Sequence, residues 1–150
     1  MLRQRYVITI HAPKETVWKT LLDDATFREW ASAFNPGTYF EGSWEKGGEI
    51  RFLGLDPETG KLMGMLSRIH ENRPNEFISI GHVGLIEDGK VDTTSELVRQ
   101  WMPAYENYTL QDKDGGTEVT IDVDVLEDYL EFYEDAWPEA LHKLRALAER

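Results

Sequence analysis

His82 is the side chain of this sequence with the clearest route to chemistry. It stands mid-strand in Ile78-Ser79-Ile80-Gly81-His82-Val83-Gly84 and shares the two-residue alternation of Ile78 and Ile80. That parity predicts an inward-facing ring. An inward neutral imidazole gives an apolar pocket one donor and one acceptor, and it can serve as a general base near neutral pH. The competing assignment is a hydrogen-bonded core or edge histidine. His11 ends the first strand, His70 closes a strand beside Glu71, and His142 sits late in a helix beside Lys143, so all three are predicted at the surface. Tyr39, Tyr105 and Tyr108, with Arg51, Arg68 and Arg99, are the other polar groups that could reach a pocket or its mouth. Their alternative is ordinary: tyrosines with hydroxyls in water and arginines on a solvent face.

Other chemistries find no pattern. The chain has no cysteine, which removes disulfides, thiolate nucleophiles and cysteine metal sites. No histidine pair stands four residues apart on a helix, and neither HExxH nor an EF-hand loop occurs, so no metal and no cofactor are expected. The paired glycines at 47–48 and 115–116 match neither GxxxxGK[ST] nor GxGxxG. No serine lies in a nucleophile elbow. Asp112, Asp114, Glu87 and Asp88 are hairpin-turn acids, and Asp122 and Asp124 alternate with Ile121, Val123 and Val125 as the wet face of a half-buried strand.

The element that must position a pocket is the last one, a helix predicted over Asp128–Arg150. Tyr129, Phe132, Tyr133, Ala136, Trp137, Ala140, Leu141, Leu144, Leu147 and Ala148 recur at three- and four-residue steps. Asp128 is predicted as its N-cap, with Glu131 completing a capping box. Phe132, Tyr133, Ala136, Trp137 and Ala140 are expected to face a cavity, the two small alanines leaving space beside the rings. Phe34, Tyr39, Phe52, Met65, Ile80, His82 and Tyr108 are the expected ligand contacts across from them.

Earlier in the chain, Arg3–His11 alternates as a strand, and Ala12-Pro13 breaks it, Pro13 suiting the first turn of a helix; two short helices follow, carrying Val17, Trp18, Leu21 and Leu22, then Phe27 and Trp30. From Asn35 the period changes to two. Strands are predicted over Thr38–Trp44, Glu49–Leu53, Lys61–His70, Glu76–Leu85, Ala104–Gln111 and Thr117–Val125, separated by Gly-, Pro-, Asn- and Asp-rich turns. Val91–Pro103 reads equally as strand, loop or lid. The fold class is α+β: a curved antiparallel sheet of six to seven strands wrapped around the long helix, as one domain over residues 1–150.

Twenty-eight acidic residues against 16 basic give a net charge of −12, which argues against nucleic acid and anionic membranes as partners. No stretch has the roughly 20 apolar residues of a membrane span. MLRQRYVITI lacks the apolar run and cleavage site of a signal peptide, so a cytoplasmic protein is expected. Five Trp, six Tyr and six Phe supply large rings for a core or for an apolar pocket.

The order and spacing of several stretches resemble the helix-grip fold of the START/Bet v 1-like (SRPBCC) superfamily. The branch they resemble is the one named for the activator of Hsp90 ATPase (AHSA1-like). Those stretches are Ile10-His11-Ala12-Pro13 with Glu15, Val17 and Trp18; Lys46-Gly47-Gly48-Glu49-Ile50-Arg51-Phe52; Gly64 and Leu66 with Pro74; Gly116-Thr117-Glu118-Val119-Thr120; and Trp137 with Leu141. The resemblance implies three functions. The first is binding of a small hydrophobic or aromatic molecule between sheet and helix. The second is a cochaperone-like role, with a chaperone or a second copy as partner. The third is a polyketide cyclase-like enzyme using His82 or a tyrosine.

Overall fold

The computed structural model describes residues 1–150. Strand β1 (Leu2–Ile10) is followed by helices α1 (Lys14–Leu22) and α2 (Asp24–Trp30), and a 3-10 turn, Ala31–Ala33. Next come β2 (Tyr39–Gly42), β3 (Glu49–Leu55), β4 (Leu62–Arg73), β5 (Phe77–Glu87), a short β6 (Lys90–Asp92) and helix α3 (Glu96–Trp101). β7 (Ala104–Lys113), β8 (Gly116–Val125) and helix α4 (Leu130–Ala148) complete the chain. The sheet order is β1-β8-β7-β5-β4-β3-β2, antiparallel throughout, with β6 pairing β5 beyond the point where β7 leaves it. This is the α+β helix-grip architecture. Its eight strands exceed the expected six to seven by the three-residue β6.

Alternation sets the core. Ile8 and Ile10 of β1, Ile78 and Ile80 of β5, Tyr108 and Leu110 of β7, and Val119, Ile121, Val123 and Val125 of β8 are all buried on one face. Trp137, Ala140, Leu141 and Leu144 of α4 pack on them in the same cluster. The 19-residue α4 spans about 28 Å, and no helix of the chain is long and apolar enough to cross a membrane. At Gly64 a Cβ would lie 1.9 Å from the Phe52 carbonyl oxygen, so only glycine lets β4 run this close behind Phe52.

Three local expectations are corrected. Asp128 is not the cap of α4: it sits in a 3-10 turn, Glu127–Tyr129, and Tyr129 takes the N-cap position without a side-chain hydrogen bond. The extra turn satisfies the entry that a capping box would otherwise make, and Asp128 and Glu131 still complement the helix dipole. Pro13 stands at the N-cap of α1, not inside its first turn. Val91–Pro103 is neither one strand nor one loop. After β6, Asp92 Oδ1 accepts from the Thr94 and Ser95 amides, Ser95 caps α3 through the Val98 amide, and a cis Met102–Pro103 peptide leads into β7.

Candidate functional site

Helix α2 and the turns around it carry rings over the sheet. Trp30 Nε1 donates to the Leu21 carbonyl at 3.2 Å and Trp44 Nε1 to the Leu22 carbonyl at 3.1 Å, which fixes both indoles against the end of α1. Phe27 packs edge-on to Trp30 with ring centres 5.1 Å apart and lies 5.9 Å from Phe52. From α4, Trp137 meets Phe34 edge-on at 4.8 Å and Tyr108 at 6.1 Å. These walls line a partly open cavity of about 140 Å³ between the sheet and α4. Helix α3 borders it: Trp101 lines the cavity, is 8% exposed, and leans on Tyr129 at 6.5 Å. Its Nε1–H is buried without a partner.

One wall is polar. His82 faces the cavity and is 5% exposed. Its Nδ1 lies 2.7 Å from Ser67 Oγ, and its Nε2 lies 3.2 Å from Glu106 Oε1. The Tyr108 hydroxyl donates to the other Glu106 oxygen. A bulge makes this line possible, since β4–β5 pairing steps from Leu66↔Gly84 to Ser67↔His82 and skips Val83, bringing serine and histidine side by side on the inner face. Ser67 is fully buried with His82 as its one side-chain partner. Glu106 accepts, so the Nε2–H of the ring donates to it, while Nδ1 shares a hydrogen bond with the serine hydroxyl.

Serine, histidine and glutamate in a row resemble a hydrolytic triad, but the geometry runs the wrong way. Ser67 lies behind the ring, has no exposed surface and does not border the cavity. A substrate in the cavity meets the Glu106 side of His82, and the serine has no path to it.

The residues singled out from the sequence divide. Phe34, Phe52, Met65 and Ile80 border the cavity with His82, as do Tyr108, Tyr133 and Trp137. Tyr39, Phe132, Ala136 and Ala140 do not. Tyr39 lies half-buried beneath the Arg28 guanidinium, 5.2 Å from its ring centre. Phe132 is 48% exposed and packs edge-on to the outer side of Tyr133. Tyr133 and Trp137, one helical turn apart, take the strip that faces the cavity. Ala136 is rotated about 100° from Trp137 and is buried away from it, while Ala140 lies a turn deeper in the solid core. The open space therefore lies beside His82 and Tyr108, not beside the alanines. Tyr105 reaches the cavity rim, whereas Arg51, Arg68 and Arg99 do not border it. His11, His70 and His142 are exposed.

Glu106 and Ser67 escaped the sequence reading. Glu106 shares parity with Ala104, Tyr108 and Leu110, all buried, and that alternation was the available signal. Ser67 sits likewise between Met65 and Ile69.

Burial pushes the Tyr133 phenol up to about 12, with Glu106 and Tyr129 adding to the effect, and burial pushes Tyr108 well above the ordinary phenol value, again with Glu106. A raised folded-state value holds its full stabilisation below the unfolded value near 10 and loses it as pH rises towards 12. Tyr133 alone then accounts for about 3 kcal/mol lost across that window. Urea unfolding midpoints measured from pH 9 to 12 are expected to fall, and Tyr133→Phe is expected to flatten the decline. A decline of equal steepness in that variant would show that Tyr133 does not cause it.

The model of the family described as activator of Hsp90 ATPase homolog 1-like protein matches residues 11–149. Among solved structures, a Chromobacterium violaceum protein superposes with a TM-score of 0.73 at 20% identity, covering 100% of this chain and 99% of its own. The Aha1 dimer from Colwellia psychrerythraea gives 0.71 at 17% identity, covering 99% and 97%. A Cytophaga hutchinsonii protein gives 0.70 at 21% identity, covering 99% and 94%. These likenesses establish a shared fold. No curated protein sequence matches the chain significantly.

Proposed function

The chain belongs to the activator of Hsp90 ATPase homolog 1-like family, and from that premise we propose that it binds one small hydrophobic or aromatic molecule in the cavity between sheet and α4. The observation that carries this reading is the apolar lining of the space: about 140 Å³, bordered by 21 residues of which 17 are hydrophobic, with one hydrogen-bonded polar wall. An apolar cavity of roughly 150 Å³ takes up a benzene ring, whereas drug-sized pockets run from about 300 Å³ upward. The fit is to a single ring with a short substituent, which disfavours lipids and polycyclic polyketides. Burying about 200 Å² of such a ring at about 25 cal/mol per Å² contributes about 5 kcal/mol, a dissociation constant on the order of 0.1–1 mM before the polar wall adds to it.

A protein-contact role is the second reading. It is favoured by the family description, by the dimeric Aha1 relative, and by Leu97, Tyr129 and Phe132, which are 47%, 49% and 48% exposed around α3. Native mass spectrometry of gently purified protein tests both. A small molecule released on denaturation supports the cavity reading, and Met65→Trp, which pushes an indole in from a half-buried lining position, is expected to abolish it. A clean apo mass, monomeric or dimeric, counts against the cavity and favours a protein partner.

A further inference from the structure

The charge inventory around the cavity is one-sided. Ten of its 21 bordering residues carry Phe, Tyr or Trp rings, two are carboxylates, and none is Lys or Arg. Asp124 is already matched: Arg3 Nε lies 3.2 Å from one oxygen and the Tyr105 amide 2.9 Å from the other. Glu106 has no Lys or Arg beside it. Its oxygens accept from His82 Nε2–H and from the Tyr108 hydroxyl, and His82 is its sole basic neighbour within ion-pair distance. A partly buried acidic side chain thus stands in a wall of rings that offers it no Lys or Arg.

Aromatic faces carry negative quadrupole density and attract cations, and a carboxylate among them completes the recognition chemistry of an ammonium group. The net charge of −12 works in the same direction by concentrating cations near the surface. We infer that the molecule this cavity takes is a small organic ammonium ion, a single-ring amine whose charged head lies against Glu106 and whose body is enclosed by Phe52, Trp101, Tyr133 and Trp137. This inference rests on the cavity-binding reading and narrows it from apolar molecules in general to amines.

Three isosteric probes separate the two: benzylamine, benzyl alcohol and benzoate, titrated calorimetrically into the whole chain at pH 7 and low salt. Benzylamine is expected to bind at least about tenfold more tightly than benzyl alcohol, and benzoate more weakly than either. Glu106→Gln is expected to bring benzylamine down to the level of benzyl alcohol in the same variant. Should that variant unfold, Phe52→Leu is expected to weaken benzylamine more than benzyl alcohol. Benzyl alcohol or benzoate binding as tightly as benzylamine overturns the ammonium assignment and leaves the cavity reading standing. Failure of all three probes overturns both.

Discussion

Replacing Trp137 by alanine is expected to cost about 3–5 kcal/mol of unfolding free energy, a large share of the roughly 5–15 kcal/mol available to a domain of this size. Trp137 is 2% exposed and touches the sheet, the α2 turn and its own helix's partners at once: it stacks on Tyr6 at 6.0 Å, meets Phe34 edge-on at 4.8 Å, and faces Tyr108 at 6.1 Å. No neighbouring ring can close the hole, because Tyr108 is held by Glu106 and Trp30 by the Leu21 carbonyl. The control is five residues back on the same helix. Phe132 belongs to the same apolar periodicity but is 48% exposed, so Phe132→Ala is expected to change stability by no more than about 0.5 kcal/mol. Equal costs for the two, measured by urea unfolding, would show that α4 is packed along its whole stripe and that the cavity described beside Trp137 is wrong.

The second large effect concerns the polar wall. His82→Leu leaves the fully buried Ser67 hydroxyl without its partner and takes one donor from Glu106; Glu106→Leu leaves the His82 Nε2–H and the Tyr108 hydroxyl without their acceptor. Each single change is expected to destabilise by about 2–4 kcal/mol, mostly the desolvation of groups left unpaired. Once one member is gone its neighbour has less to lose, so the double variant is expected to cost at least about 1 kcal/mol less than the sum of the singles. Strict additivity in that cycle would mean that the two side chains do not share a hydrogen bond.

Periodicity made the architecture legible. The switch from three- and four-residue steps to two at Asn35, and back after Val125, marks the elements to within three residues, and strand parity alone placed His82 on the inner face. What could not be read depends on where elements end against one another. Phe132 continues the α4 stripe, yet it is 48% exposed and meets Tyr133 edge-on, while Leu130 of the same turn packs on the core. Ala136 differs from Trp137 by one residue of rotation, and a wide stripe does not say which of its strips meets the cavity. Glu106 was passed over because an acid in an alternating strand is ordinarily on the wet face, although it shares the inner parity of Ala104, Tyr108 and Leu110. The Val83 bulge that aligns His82 with Ser67 is a property of the β4–β5 pairing and has no mark in the sequence. Segment 91–103 is too short in each of its pieces, a three-residue strand and a six-residue helix, for periodicity to register.

Uptake of a one-ring ligand into the space beside His82 is the point on which all of this turns, and nuclear magnetic resonance reads it most directly. Benzyl alcohol titrated into uniformly ¹⁵N-labelled protein is expected to give saturable shifts confined to the amides of Phe52, Ile80, His82 and Tyr108 and to the indole signals of Trp101 and Trp137, with none of them moving in Met65→Trp. Shifts scattered over the outer face of the sheet, or cavity signals that stay fixed at millimolar ligand in the wild-type chain, would contradict it.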